Sequence, residues 1–440
     1  MIISDYLIIG SGPIGVFTLK YLLEKGHIVT IVDNSKKINP KITEKIFNLK
    51  DFKQNSEVYD LNNTAIYKGK KTMPVSSKSK GGFTKVWGGT LNALSNEEIK
   101  HTGMSIKEYN KTYKKILESI PNSIHTDGSL EVKNQDSSKK FEESLLAINR
   151  ANGKIWSCDE LLNDLLKEYS ESLIYLDNID VKEVTEKESI FEIKTKDSTF
   201  TAQVKKVFIC TGPFSSSVIA SRMTNSDYFT IGDSNLSVWP ILKISRKNIA
   251  SKNNITKNKA YTRFIVKLSK QSSIVKFQFY SINEEVIGEV IQKLPKLSKI
   301  LVPFLKILQK RFYLTFAYKN SNNSSTGVFK IINEDIVKVK SLKPIKKINI
   351  LCFFRTFLKN KLLLLPIKYN YGNFASFHSG NTQLFKNGHK LEFNDLGNLE
   401  VSDNIHFIDS TVMKFIPAGP FTISSIIFSR LTLKKILNEK

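Results

Sequence analysis

The sequence predicts an α/β fold built on a parallel sheet, and three observations carry that prediction. A short apolar run, Tyr6-Leu7-Ile8-Ile9, leads through a glycine loop and a helix-like stretch to a second apolar run, His27 to Val32. A further buried-type run, Val207 to Cys210, ends at Thr211-Gly212 and enters another helix-like stretch, Ser215 to Met223. Elsewhere, Tyr261 to Leu268 and Ile274 to Tyr280 alternate in polarity as half-buried strands do. Strand–helix–strand units imply parallel pairing, because only a crossover returns the chain to the same end of a sheet.

In chain order, Val16 to Lys25 carries apolar residues at helical spacing, and Gly26 stops it. Residues 34–80 are polar and read as a surface excursion. Residues 105–118 and 139–170 read as helices, and Leu173 to Val184, Ser189 to Thr195 and Thr199 to Ala202 as strands of a small meander. Val286 to Tyr313 is basic and amphipathic, and the chain ends in a helix.

The length of 440 residues allows two or three domains. The nucleotide-type signals divide them into a first segment 1–100, a helical connection or lid 101–170, a second segment 171–235, an inserted domain 236–370 and a C-terminal segment 371–440. The net charge of +25 is spread through the chain as scattered Lys without a recognition motif, which argues against nucleic-acid binding. Cys158, Cys210 and Cys352 form no C-x-x-C pair, so neither a disulfide framework nor a metal site is expected. No signal peptide is visible, and no apolar run approaches the roughly 20 residues of a spanning helix. These readings predict a cytoplasmic protein.

Gly10-Ser11-Gly12-Pro13-Ile14-Gly15 matches G-x-G-x-x-G. The first glycine permits the turn, the second lets a pyrophosphate approach the backbone, and the third lets helix and strand pack closely. The helix N-terminus offers free N–H groups to phosphate. Asp33 ends the second strand, at the spacing of an acid that bonds a ribose hydroxyl. The loop alone leaves FAD and NAD both open; its place at the start of a long, multi-segment chain favours FAD.

Further segments resemble the glucose–methanol–choline oxidoreductases. Gly81-Gly82-Phe83-Thr84-Lys85-Val86-Trp87-Gly88-Gly89 resembles the family's second glycine motif. By that resemblance Gly82, Thr84, Trp87 and Gly88 lie against the pyrophosphate and the flavin edge. Some relatives carry here a His joined covalently to the flavin; Lys85-Val86 precede Trp87 in this chain, so non-covalent FAD is expected. Lys206 to Ser216, with Thr211 and Gly212 at its turn, resembles the family's strand–turn–helix, and Val181 the residue whose backbone meets the adenine. Asn404 to Val412 and Ile416 to Ile423 resemble the C-terminal segment, in which Asp409 would meet the ribityl chain and a helix would start near Pro420. The resemblance implies a discontinuous Rossmann-like FAD-binding domain with an inserted α+β substrate domain.

Phe377-His378-Ser379-Gly380 resembles the segment bearing the family's catalytic histidine. Alcohol oxidation sends a hydride to flavin N5 and needs a base for the hydroxyl proton, and a neutral imidazole serves near pH 7. His378 is the candidate base. Most active relatives place a second His or an Asn in the turn that here reads Pro417-Ala418-Gly419-Pro420-Phe421-Thr422. Thr422 is the remaining polar candidate. Related members with such a turn act in surface-polysaccharide synthesis, so a sugar or glycan-precursor alcohol is the expected substrate. A non-catalytic FAD- or nucleotide-binding protein of the same fold is the alternative, and an NAD-dependent dehydrogenase would leave the C-terminal resemblance unexplained. Residues 293–311 read first as a helix over the substrate cavity, and second as a peripheral contact with the inner face of the membrane.

Overall fold

The computed structural model describes residues 1–35, 65–67, 70–72, 77–85, 87–125, 139–148, 155–244, 262–270, 273–281, 302–303, 307, 312–332, 335–342, 353–365, 369–370 and 379–439. Five parallel strands run in the order Ile405–Phe407, Lys206–Ile209, Tyr6–Ile9, Val29–Val32 and Leu173–Leu176. The sheet thus draws strands from both ends of the chain and from its middle.

Alternation along each strand explains why these runs are apolar throughout. Tyr6 and Ile8 point into one core, with Ile31 and Phe208, while Leu7 and Ile9 point into a second, with Val207 and Phe407. A sheet covered on both faces needs apolar residues at every position. The first core is closed by the helices Pro13–Glu24, Ile106–Glu118, Cys158–Glu168 and Thr422–Ile436, through Val16, Leu22, Tyr109, Leu162 and Ile426. The second is closed by the helix Pro213–Thr224 and by a four-stranded sheet whose order is Ile2–Ile3, Thr199–Gln203, Ile190–Thr195, Val181–Lys187.

An eight-stranded antiparallel sheet forms the other half of the molecule. Ser273–Ser281 lies inside it, between Thr262–Lys270 and Phe312–Lys319. On one face Val275, Phe277 and Phe279 pack with Trp239, Ile241, Phe353 and Phe357. The opposite face carries Ile274, Lys276 and Gln278, and Ile274 and Tyr318 there pack against Ala418. A five-stranded sheet, running Asp335–Leu342, Thr326–Ile332, Tyr228–Asp233, Ser379–Lys386, His389–Leu391, completes the fold.

Three sequence expectations are corrected. Lys139–Ala147 is a strand, not part of a helix over 139–170; it pairs with Thr262–Lys270 on one side and Asn122–His125 on the other. Ladder bonds to both neighbours override its helix-like pattern, and the helix begins only at Cys158, with Asp159 and Glu160 in its first turn. Residues 173–184 supply two strands in different sheets rather than one. The last helix starts at Thr422, so Pro420 precedes its N-cap Phe421, whose φ of −128° is not helical. The basic stretch from Val286 to Tyr313, residues 293–311 included, lies almost wholly outside the described residues. No helix among the described residues is long and apolar enough to cross a membrane.

Candidate functional site

The C-terminal ends of the parallel strands bring the glycine segments together. Gly10 has φ +106°, and a Cβ on it would stand 2.6 Å from the Cys210 carbonyl oxygen. A Cβ on Gly15 would stand 1.9 Å from the Gly10 carbonyl oxygen, so the helix can approach the turn only as glycine. Gly12 differs, because a Cβ there would meet nothing within 4 Å. Its open side lies at the helix start, where Pro13 occupies the first turn, no side chain caps the N-terminus and no acidic residue stands. The N–H groups of this turn, Ile14 and Gly15 among them, have no intrahelical acceptors by the geometry of any helix start, and with the dipole they form an anion cradle.

Asp33 holds this loop. Its carboxylate accepts the Ser11 N–H at 3.0 Å and the Ser11 hydroxyl at 2.6 Å, and also the Ser35 N–H at 3.2 Å. A carboxylate has about four lone-pair sites, so room remains for one further donor. Ile179 N–H bonds the Asp33 carbonyl at 2.9 Å, and Val181 follows two residues on, half-buried at the start of its strand. Lys80 lies 4.8 Å over the Tyr175 ring, whose hydroxyl meets Ser35 at 2.7 Å. Burial holds the Lys80 amine below its ordinary value.

The second glycine motif packs directly on the first. Gly81 N–H donates to the Ser11 carbonyl at 3.1 Å, and a Cβ on Gly82 would stand 3.0 Å from Gly12 Cα. Thr84 fixes the motif to the Cys158–Glu168 helix: its hydroxyl donates to the Gly81 carbonyl at 2.6 Å and accepts the Cys158 N–H at 2.9 Å. Lys85 pairs with Asp159, and the Trp87 indole donates to the Trp156 carbonyl at 2.8 Å. Gly88 is half-buried beside Trp87, and Val86 lies outside the described residues.

Asp409 joins the remaining pieces. Its fully buried carboxylate accepts Gly212 N–H at 2.9 Å, the Ser216 hydroxyl at 2.5 Å and Thr411 N–H at 2.8 Å. Burial raises the Asp409 pKa, and these hydrogen bonds oppose the rise. These bonds brace the Gly212 turn against Asp409. Thr211 bonds Ser216 at 2.9 Å, and Gly212, at φ +84°, has open space where a Cβ would be. Pro420, just before the last helix, and Thr422, its first residue, are half-buried.

His378 lies outside the described residues. The residue after it, Ser379, is anchored where the Ser410 hydroxyl donates to its carbonyl at 2.8 Å, and Gly380 lies so close that a Cβ would stand 2.2 Å from the Ser410 carbonyl oxygen. Ile416 N–H donates to the Ser321 hydroxyl at 3.1 Å, tying the turn before the last helix to the antiparallel half.

Sequence reasoning missed Ser216, Lys80, Glu98 and Lys276. Ser216 follows the Gly212 turn and Lys80 adjoins Gly81, so proximity to a motif was an available signal. Glu98 and Lys276 had none. Glu98 lies in the short helix Asn96–Thr102, where it forms a capping box with Ser95, and its carboxylate meets the Lys276 ammonium at 3.0 Å. Among the described residues no group of three or more His, Cys, Asp or Glu could hold a metal ion.

No protein-family model matches this chain. No curated protein sequence matches it either. Solved structures do, with 865 matching chains, which marks the fold as widely shared. One is the crystal structure of pyridoxine 4-oxidase from Mesorbium loti, which is 10% identical in sequence and covers 99% of each chain at a TM-score of 0.54. The likeness extends over the antiparallel half as well as the parallel sheet and, at that identity, concerns the fold.

Proposed function

We propose that this chain is an FAD-dependent oxidoreductase acting on the alcohol group of a small molecule. The observation that carries the reading is the convergence of four chain segments at the strand ends, where a Cβ on Gly12 or on Gly212 would meet nothing within 4 Å. The fold shared along the whole length with an oxidase of an alcohol supports it. Gly10 to Gly15 and the helix start would hold the pyrophosphate, Asp33 and Val181 the adenosine end, and Gly82, Thr84, Trp87, Gly88, Thr211 and Gly212 the flavin side. The bound flavin supplies the hydride acceptor. No His stands between Gly81 and Thr90, which supports non-covalent attachment.

His378 is the proposed base. A neutral imidazole of ordinary pKa, about 6.5, takes a hydroxyl proton at neutral pH. Thr422 is the polar residue proposed to assist it from the turn that Gly419 belongs to, and a polyhydroxylated substrate, such as a sugar or glycan precursor, fits the resemblance. Residues 293–311 would cover that substrate, or rest on an anionic inner membrane surface in a cytoplasmic protein. A second reading, a non-catalytic FAD-binding protein, has in its favour Ala418 and Gly419, which place no polar side chain in the turn.

Two measurements test these readings. The purified protein, supplied with FAD, is expected to hold about one flavin per chain, with absorbance near ~450 nm; failure to retain flavin removes the cofactor reading. Anaerobic flavin bleaching by a panel of sugars, polyols and pyridoxine is expected in the wild type and slowed about 100-fold or more in His378→Ala. Bound flavin that no alcohol bleaches favours the non-catalytic reading.

A further inference from the structure

The antiparallel half contains a charged pair that the cofactor assignment does not use. Lys276 and Glu98 belong to different parts of the molecule, one on the inner face of the large sheet and the other on the first helix after the second glycine motif. Both are buried, at 6% and 0% exposure. Oε2 of Glu98 accepts three times, from Ser95 N–H at 3.1 Å, the Ser95 hydroxyl at 2.9 Å and Lys276 Nζ at 3.0 Å. Oε1 has no hydrogen-bond partner.

An ionised carboxylate oxygen without a donor is among the costliest groups to bury, and native proteins seldom leave one. The position makes a ligand its natural partner. A Cβ on Gly419 would stand 3.2 Å from Lys276 Cβ and 3.1 Å from its Cδ, so the turn before the last helix is shaped to the lysine stem. Ala418 and Gly419 bring no polar side chain, so polar groups on this side come from the sheet and from Glu98. On the same sheet face Gln278 is buried, with its amide oxygen accepting from the Tyr280 hydroxyl at 2.9 Å, and the Tyr280 ring lies 4.7 Å from Phe316. Aromatic faces with a few fixed polar groups are how small-molecule sites are lined.

We infer that Glu98 and Lys276 together bind a hydroxyl of a polyhydroxylated substrate, a hydroxyl other than the one oxidised. A hydroxyl both donates and accepts. Glu98 Oε1 accepts a hydrogen bond from its O–H, and a remaining Lys276 N–H donates to its oxygen. A simple alcohol offers no second hydroxyl and leaves Oε1 unmet. This rests on the alcohol-oxidising reading above but concerns binding, which is measured without turnover.

The test is calorimetric titration of the FAD-loaded protein with D-glucitol, methyl β-D-glucopyranoside and benzyl alcohol. Glu98→Gln keeps the capping box, since Gln serves in it as Glu does. Glu98→Gln with Lys276→Met removes both charges and leaves neither buried alone. The wild type is expected to bind at least one of the two polyols, and both variants to bind that polyol about 10-fold or more weakly. Benzyl alcohol affinity and flavin content are expected to stay close to wild type in both variants, and the melting temperature in the double variant; Glu98→Gln, which leaves the Lys276 ammonium buried without its counter-charge, is expected to melt lower. A wild type that binds neither polyol overturns the inference, as does either variant binding the polyol as tightly as wild type, which would make Oε1 the site of a structural water. Should polyols bind as expected without bleaching the flavin, the inference stands and the oxidase reading falls.

Discussion

The strand ends of the parallel sheet and the seam between that half and the antiparallel sheet hold their buried carboxylates differently. At the ends of the parallel strands, each carboxylate is met by the chain itself: Asp33 by Ser11 and Ser35, Asp409 by Gly212, Ser216 and Thr411. Below the antiparallel sheet, Glu98 keeps an oxygen with no partner. The strand ends are therefore preorganised as a scaffold, with open backbone at Gly12 and Gly212. The seam where the Asn96–Thr102 helix meets Lys276 holds unmet capacity in a carboxylate. A site that grips an invariant cofactor is suited to rigid backbone, while one that selects among substrates needs polar groups whose partner arrives with the ligand.

The largest expected effect separates two glycines of one loop. Gly15→Ala drives a Cβ into the Gly10 carbonyl and should cost more than about 3 kcal/mol of stability, read by chemical denaturation. Gly12→Ala meets no atom within 4 Å and should leave stability within ~1 kcal/mol while weakening flavin retention. Equal stability losses in the two variants would erase the distinction between packing glycine and ligand glycine.

Asp409→Asn comes next. An amide oxygen cannot replace both carboxylate oxygens, and its NH2 would face N–H groups, so a loss of about 1–3 kcal/mol is expected together with weaker flavin binding. Unchanged denaturation and flavin affinity would show that the Gly212 turn holds itself.

The smallest effect is a pH dependence. His406 lies in the parallel sheet with Nδ1 at 3.0 Å from the Leu396 carbonyl, which can only accept, so Nδ1 carries the proton. Burial lowers its pKa to about 4. The unfolded chain, at about 6.5, takes up a proton first, so stability is complete above that pH and falls as pH drops toward the folded value. From pH ~7.5 to ~5 the loss should be ~2 kcal/mol, and it should vanish in His406→Gln. A wild-type slope retained in that variant assigns the dependence to other groups.

What could be read from sequence follows the same division. The strands Tyr6–Ile9 and Lys206–Ile209 and their glycine turns were legible because local constraints dictate them: burial on both faces, a required φ, an approach of helix to turn. Lys139–Ala147 was misread because its character as a strand is set by Thr262–Lys270, more than a hundred residues away, and its own residues carry no period-2 signal. Glu98 and Lys276 were invisible for a related reason. Each reads as an ordinary surface charge until the fold buries the two together. Asp409 was found as a motif residue, whereas two of the contacts that hold it, to Gly212 and Ser216, come from a segment that motif does not specify.

The parallel sheet has one further consequence, for how the chain is made. Its edge strand, Ile405–Phe407, pairs with Lys206–Ile209, and the first core also needs the Thr422–Ile436 helix. During synthesis the N-terminal strand, helix and glycine loop emerge long before the residues that seal their core. At roughly 5–20 residues per second, the apolar faces of the Pro13–Glu24 helix and the Tyr6–Ile9 strand wait tens of seconds for their last neighbours. Such a nascent chain is a natural client for a ribosome-associated chaperone, and loss of even its last few turns would leave that first core open.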